Sequence, residues 1–244
     1  MITLIKALII GFVIGFIPVI PWIGMHWSLG ILLGIAISFF FYFKFMQKIN
    51  ADVRPIFENA QKMMQQQKWK QAMDILETAR PFSNKMFLLD GQIEAQLGMI
   101  YYFQSKEDDA IRHFEKSTTQ NWFSMAIYAF LLSKKKQDDE MVKKFEAALR
   151  FNKKEVLLWN AYAFCLNRIN KTDEAINVLN RALKKIGKNP ETEANLKSLQ
   201  NNKGMNMKPF GEMWYSLKME PIPKQFMQRT SNHPGDRGFK QKRG

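Results

Sequence analysis

Cysteine occurs once in 244 residues, at Cys165, and histidine three times, at His26, His113 and His233. A single thiol excludes an internal disulfide framework and any cysteine-based zinc site within one chain. The histidines fall in separate segments, without HExxH or any other ligand spacing, and no glycine-rich phosphate loop is present. The expectation is therefore no catalytic residue set, no metal site and no cofactor, with Cys165 a small buried hydrophobe in a helix. Acidic clusters at Asp108-Asp109 and Asp138-Asp139-Glu140 stand where helices begin, and complementing the helix dipole accounts for them. Charge is scarce in one place: residues 1–43 hold one charged side chain, Lys6, while the whole chain carries +14.

That uncharged front end has the length of a membrane anchor. A helix crossing the hydrocarbon core needs roughly 20 apolar residues. Ile2 to Trp22 offers one such run, with Lys6 near enough its end to snorkel, and Trp27 to Phe43 offers a second. Pro18 and Pro21 would end the first, and Pro21 to Trp27 reads as a tight turn with tryptophans at headgroup level. A second apolar run directly after the first, and no small-residue cleavage site, argue against a signal peptide. Residues 1–45 are thus expected to form a two-helix transmembrane hairpin, with residues 2–43 in the bilayer. Lys6 marks one end and Lys44, Lys48 and Arg54 the other, so the positive-inside rule puts both chain termini in the cytosol. The expected location is a bacterial inner or plasma membrane, as a multi-pass protein. Small residues recur at four-residue spacing: Gly11 and Gly15, then Gly30, Gly34 and Ser38. Such stripes let helix backbones approach in lipid; packing of the two spans on each other is the favoured use, homodimerisation the other. Asn50 to Pro55 reads as a short connector.

The middle of the chain repeats itself. The run Lys68 to Ala79 recurs in form as Glu107 to Ser117, Asp138 to Leu149 and Thr172 to Leu183, each with small and large apolar residues spaced for one helix face. Anchor positions Ala72, Ala110, Met141 and Ala175 are 38, 31 and 34 residues apart. Upstream of each lies a partner helix, clearest at Leu97-Gly98 with Tyr101 and at Trp159 with Tyr162-Ala163 and Leu166. In these features residues 53–190 resemble the tetratricopeptide repeat family, whose unit is a helix–turn–helix of about 34 residues. Asn59 and Ser117 depart from its consensus. Asn189-Pro190-Glu191 starts a further helix, to about Asn201, that reads as a polar cap on a solenoid. The expected fold is all-α: a transmembrane hairpin at 1–45, an α-solenoid of about four helix pairs plus a capping helix at 53–202, and a tail at 203–244.

The resemblance implies a concave surface lined by the first helix of each pair, where relatives hold extended peptides or helices. It places Phe57 and Gln61, then Gln92, Gln96, Met99, Tyr102 and Phe103, on that surface. Phe123, Phe130 and Lys134 follow, and then Asn160, Phe164, Asn167 and Arg168. The cations and asparagines do not follow the family's carboxylate-clamp pattern, and the aromatic and methionine content suits an extended or amphipathic protein segment. The implied function is a scaffold that binds other proteins at the cytosolic membrane face, without enzymatic activity.

The tail offers two more partners. Residues 205–217 are too apolar for an ordinary disordered segment and too short to fold alone. Phe210, Trp214, Tyr215 and Leu217 are expected to dock on the repeats, in the groove or over the C-terminal end. From Lys203 onward there are nine Lys or Arg against three acids, and beyond Pro221 the chain is basic and turn-rich. Such a tail suits anionic lipid; without an RNA-binding motif, nucleic acid is the weaker expectation. The competing functional reading makes this electrostatic tail the binder and the repeats its support.

Overall fold

The computed structural model describes residues 2–16 and 27–221. The expected interhelical turn and the basic tail beyond Pro221 lie outside the described residues, as does the side-chain packing around Gly15 and Gly30. Among the described residues every regular element is helical. The chain divides into two compact units, residues 1–118 and 119–244.

Unit 1 begins with α1 (Ile2–Phe16) and α2 (Trp27–Gln65). Small residues bring these two together: a Cβ added to Gly11 would lie 1.8 Å from Ser38 Oγ and 2.5 Å from the Gly34 carbonyl oxygen. Ala7 is buried on the same seam, and Ser38 donates to the Gly34 carbonyl at 2.7 Å. Backbone contact of this kind needs the absence of side chains on both helices, which is the packing the glycine spacing predicts. The outward residues of both helices, from Leu4 to Ile14 and from Ile31 to Phe43, are largely exposed hydrophobics. α2 is long and apolar enough to cross a membrane, with mean hydropathy 1.4 and only 11% of its apolar window buried. It is the one such helix among the described residues; α1 is apolar but 15 residues long as described.

The expected connector at Asn50 to Pro55 is not a connector. α2 runs unbroken for 39 residues, with Pro55 inside it. Proline removes one helical hydrogen bond, the one the Ala51 carbonyl would accept, but Ala51 is solvent-exposed and water can serve it. The helix continues because its other face is useful. Ile49, Val53 and Ala60 are buried in one cluster with Ala72, Leu76, Leu89, Ile93, Leu97 and Ile100. The far half of α2 is therefore the first helix of the first repeat, and α3 (Trp69–Glu77) is its partner. A 3₁₀ turn at Arg80–Phe82 leads to α4 (Leu89–Phe103) and α5 (Glu107–Glu115). Gly98 is where this second pair crosses: a Cβ there would meet the buried Phe114 ring at 2.6 Å.

Unit 2 holds the pairs α6 (Trp122–Lys134) with α7 (Asp138–Phe151) and α8 (Val156–Arg168) with α9 (Thr172–Ile186). α10 (Pro190–Gln200), a 3₁₀ turn at Lys208–Phe210 and the short α11 (Gly211–Ser216) follow. Within each pair one motif closes the turn. Lys68 N–H donates to Met63 O while Gln67 N–H donates to Met64 O, with Gln67 at φ 57°. The same two bonds recur at Lys106/Ser105, Gln137/Lys136 and Lys171/Asn170, and again after α10 at Lys203/Asn202. This is the Schellman arrangement, with a left-handed residue just past the helix; all five of those residues are non-glycine. The uneven anchor spacing has its cause here too. The long 38-residue interval contains the 3₁₀ turn, and the short 31-residue interval contains α5, nine residues against 14 in α7 and 15 in α9.

α10 starts as expected, on Asn189, whose side chain accepts from Thr192 N–H, with proline in the first turn. It is not the outermost layer. Thr192, Asn195 and Leu199 are buried, covered by the residues that follow.

Candidate protein-binding surfaces

In unit 1 the far half of α2 and the start of α4 form a cavity of about 340 Å³. Phe57, Gln61, Gln92 and Gln96 all line it, with Asn50, Arg54 and Met86. Four residues expected on the first two first-helices thus meet in one concavity, whose rim carries Arg54 paired to Glu58 at 2.6 Å. Further along α4 Met99 and Tyr102 are buried, 8% and 5% exposed, so their side chains fill space inside the unit. Phe103 is half-buried beside Tyr102, ring centroids 5.9 Å apart.

Another side of unit 1 carries a charged cluster the sequence did not reveal. The Glu94 side chain, 6% exposed, accepts from Arg80 at 2.8 Å and meets His113 Nδ1 at 2.7 Å. Arg80 also binds Glu77 and Asp90, and the His113 ring stacks on Tyr101. Burial would raise the Glu94 pKa, but the hydrogen bonds from Arg80 and His113 outweigh it and hold the carboxyl below its ordinary range. Each charged group in this cluster has a partner within it, and the contacts of Glu94 with Arg80 and His113 tie α4 to the 3₁₀ turn and to α5.

In unit 2 three expected residues converge. The Arg168 guanidinium lies 5.3 Å from the Phe130 ring centroid and 5.8 Å from that of Phe164. Onto them folds the segment after α10. Trp214 is fully buried, edge-on to Phe164 at 4.8 Å, and its indole N–H donates to Glu220 at 2.7 Å. Arg168 donates to the Met219 carbonyl at 3.3 Å. Tyr215, Leu217 and Met219 are buried with Trp214, while Phe210 is half-buried at the 3₁₀ turn.

Asn160 has a different place from the one expected of it. It is 0% exposed, and its amide donates to the Val156 carbonyl at 2.9 Å and to Thr192 Oγ1 at 2.8 Å. Asn195 Nδ2 donates to its oxygen at 3.1 Å, and Asn206 N–H donates to Asn195 Oδ1 at 2.7 Å. Asn160 is thus consumed in a polar chain that joins α8, α10 and the covering segment, and it offers nothing to a ligand. Asn167 is half-buried and accepts from Thr172 Oγ1 at 3.1 Å. Phe123 is half-buried at the start of α6 beside Trp122, and Lys134 is exposed at its end. Thr192 and Asn195 are not legible in the sequence as buried residues, because a polar helix reads as solvated; the 35-residue spacing of Asn195 from Asn160, about one repeat, is a signal of their contact. Cys165 is buried, its thiol pushed up to about 12 by burial, which leaves it unreactive.

No group of three or more His, Cys, Asp or Glu side chains with metal-binding geometry occurs among the described residues. Fold and surfaces together define a helical-repeat protein built from stacked helix pairs. No protein-family model matches the chain, and no curated protein matches it in sequence. Among solved structures it is similar to one described as the MamA RS-1 ArsTM double mutant. The identity is 12%, covering 73% of this chain and 96% of that one, with a TM-score of 0.46.

Proposed function

We propose that this chain is a membrane-anchored scaffold whose first-helix faces bind extended or amphipathic segments of other proteins. α1 and the near half of α2 serve as the anchor, because fourteen exposed large hydrophobics among the described residues before Lys44 would otherwise face water. The observation that carries the binding role is in unit 2: a chain segment, with Trp214 on Phe164 and the Met219 carbonyl on Arg168, already occupies the face expected to take a ligand. That face accepts an aromatic anchor and caps a carbonyl with a guanidinium, which is what an extended peptide ligand asks of it. The segment 203–221 is then an internal ligand that a partner displaces.

The test uses the full-length protein in its own membranes, with a photo-crosslinking residue at Phe123 or Lys134, which are half-buried and exposed respectively, whereas Phe130 is buried. Discrete protein adducts are expected, and they should intensify when Trp214→Ala loosens the internal segment. Adducts that are absent in both forms, or that do not respond to Trp214→Ala, would overturn the reading.

A further inference from the structure

The loop before α4 has an unusual exposure. Outside residues 1–43, three large hydrophobics are exposed among the described residues, and Phe87, at 71%, is the most exposed of them. The next residue, Leu88, is held at φ 66°, a left-handed conformation that a branched, bulky side chain rarely adopts. Strain of this kind persists only where surrounding contacts enforce it. Here they do so on both sides: Met86 packs on the buried cluster behind the loop, and Leu89 is fully buried after it. Phe87 is consequently turned outward while its neighbours are turned in.

What lies beside that outward ring is fixed by one contact. Thr3 Oγ1 donates to the Lys85 carbonyl at 2.5 Å, and Thr3 is itself 6% exposed. The loop therefore covers the first turn of α1. Leu4, one residue on, lines the same apolar groove as Tyr42 of α2, so the loop sits level with the point where α2 changes from Phe39-Phe40-Phe41-Tyr42-Phe43 to Lys44 and Lys48. If α1 and α2 span the bilayer, that level is the boundary between acyl chains and headgroups.

We propose that residues 83–88 form a membrane-interface anchor. The Phe87 ring sits in the upper acyl region of the leaflet from which unit 1 emerges, and Lys85 lies among its headgroups. The occupant of this surface is lipid, because the Thr3–Lys85 hydrogen bond joins the loop to α1, whose outward residues from Leu4 onward are exposed hydrophobics, and Lys85 and Phe87 are both exposed. An aromatic ring with an apolar body next to a lysine is suited to that depth. With α2 as one support and this loop as a second, unit 1 is held to the bilayer at two points. The inference rests on the anchoring reading given above.

Full-length protein in vesicles of phosphatidylcholine and phosphatidylglycerol would carry one environment-sensitive label, on a cysteine introduced at Phe39, Phe87 or Asn59. Cys165 is buried, so only the introduced thiol reacts. Asn59 is exposed and lies about 22 Å along α2 from Lys44, at 1.5 Å per residue. Lipids with a spin label deep in the acyl chain should quench position 39. Lipids labelled near the headgroup should quench position 87 at least twofold more than position 59. Failure at position 39 would overturn the anchor and this inference with it. Quenching at 39 with position 87 indistinguishable from 59 would overturn the interface loop alone, and would leave Phe87 as a contact for a protein.

Discussion

At the scale of single residues, the repeat is most regular where side chains say least. Gln67, Ser105, Lys136 and Asn170, at the turn within each helix pair, and Asn202, after α10, share one backbone conformation, yet they are of four different residue types. A left-handed L-residue costs about 1 kcal/mol relative to glycine, less the entropy glycine loses on folding. Lys136→Gly should accordingly stabilise unit 2 by up to about 1 kcal/mol, seen as a rise in thermal midpoint without a change in spectrum. No change, or a fall, would mean that the Lys136 side chain contributes more than its backbone costs. Glu94 gives a pH-dependent counterpart. Its pKa is lowered on folding by Arg80 and His113, so the stability it contributes is present above the unfolded carboxylate pKa of about 4.3. It is lost as pH falls through the folded value. The unfolding midpoint should therefore drop on acidification below about pH 4, and Glu94→Gln should flatten that limb in denaturant titrations while lowering stability at neutral pH.

Elements divide into those the residue pattern announces and those it hides. The second helices, α3, α5, α7 and α9, were legible because their burial is one-sided: Ala72 with Leu76, Ala110 with Phe114, Met141 with Phe145, Ala175 with Leu179. The first helices α6 and α8 are buried nearly all round, so periodicity says little about which of their residues face a groove. Asn160 shows the consequence, since the same sequence position would serve a ligand or a core network equally well. The covering segment was legible as apolar, but where it goes depends on Asn195, Phe164 and Arg168, which lie 11 to 51 residues away from their partners in it. Its attachment can be measured directly. Trp214→Ala should raise hydrogen exchange of amides 205–219 by at least tenfold, because removing a buried aromatic costs about 3–5 kcal/mol at its site. Exchange in α6 should stay unchanged. Unaltered exchange across 205–219 would show that the Asn160–Asn195–Asn206 chain holds the segment without Trp214.

For the molecule as a whole, the join between the apolar N-terminal segment and the repeats was the feature the sequence concealed. Asn50, Asp52 and Pro55 look like a break because each is a poor helix residue; burial of Ile49, Val53 and Ala60 on the other face overrides them. One helix therefore carries both the apolar segment and the first repeat, and that turns it into a screw with a fixed thread. Each added residue would advance it by 1.5 Å and rotate it by about 100°. A flexible linker ignores insertions, but here one extra alanine after Lys48 would swing α1 around the α2 axis and carry Thr3 away from Lys85. Seven extra residues would restore the angle to within about 20° yet displace the two by about 10 Å. A cysteine pair at Thr3 and Lys85 should thus be bridged by a short bifunctional reagent in the chain of native length and in neither insertion. Bridging that survives both would mean the thread is stripped. The number of residues between Lys44 and Val53 is, on this view, as much a part of the design as their identity.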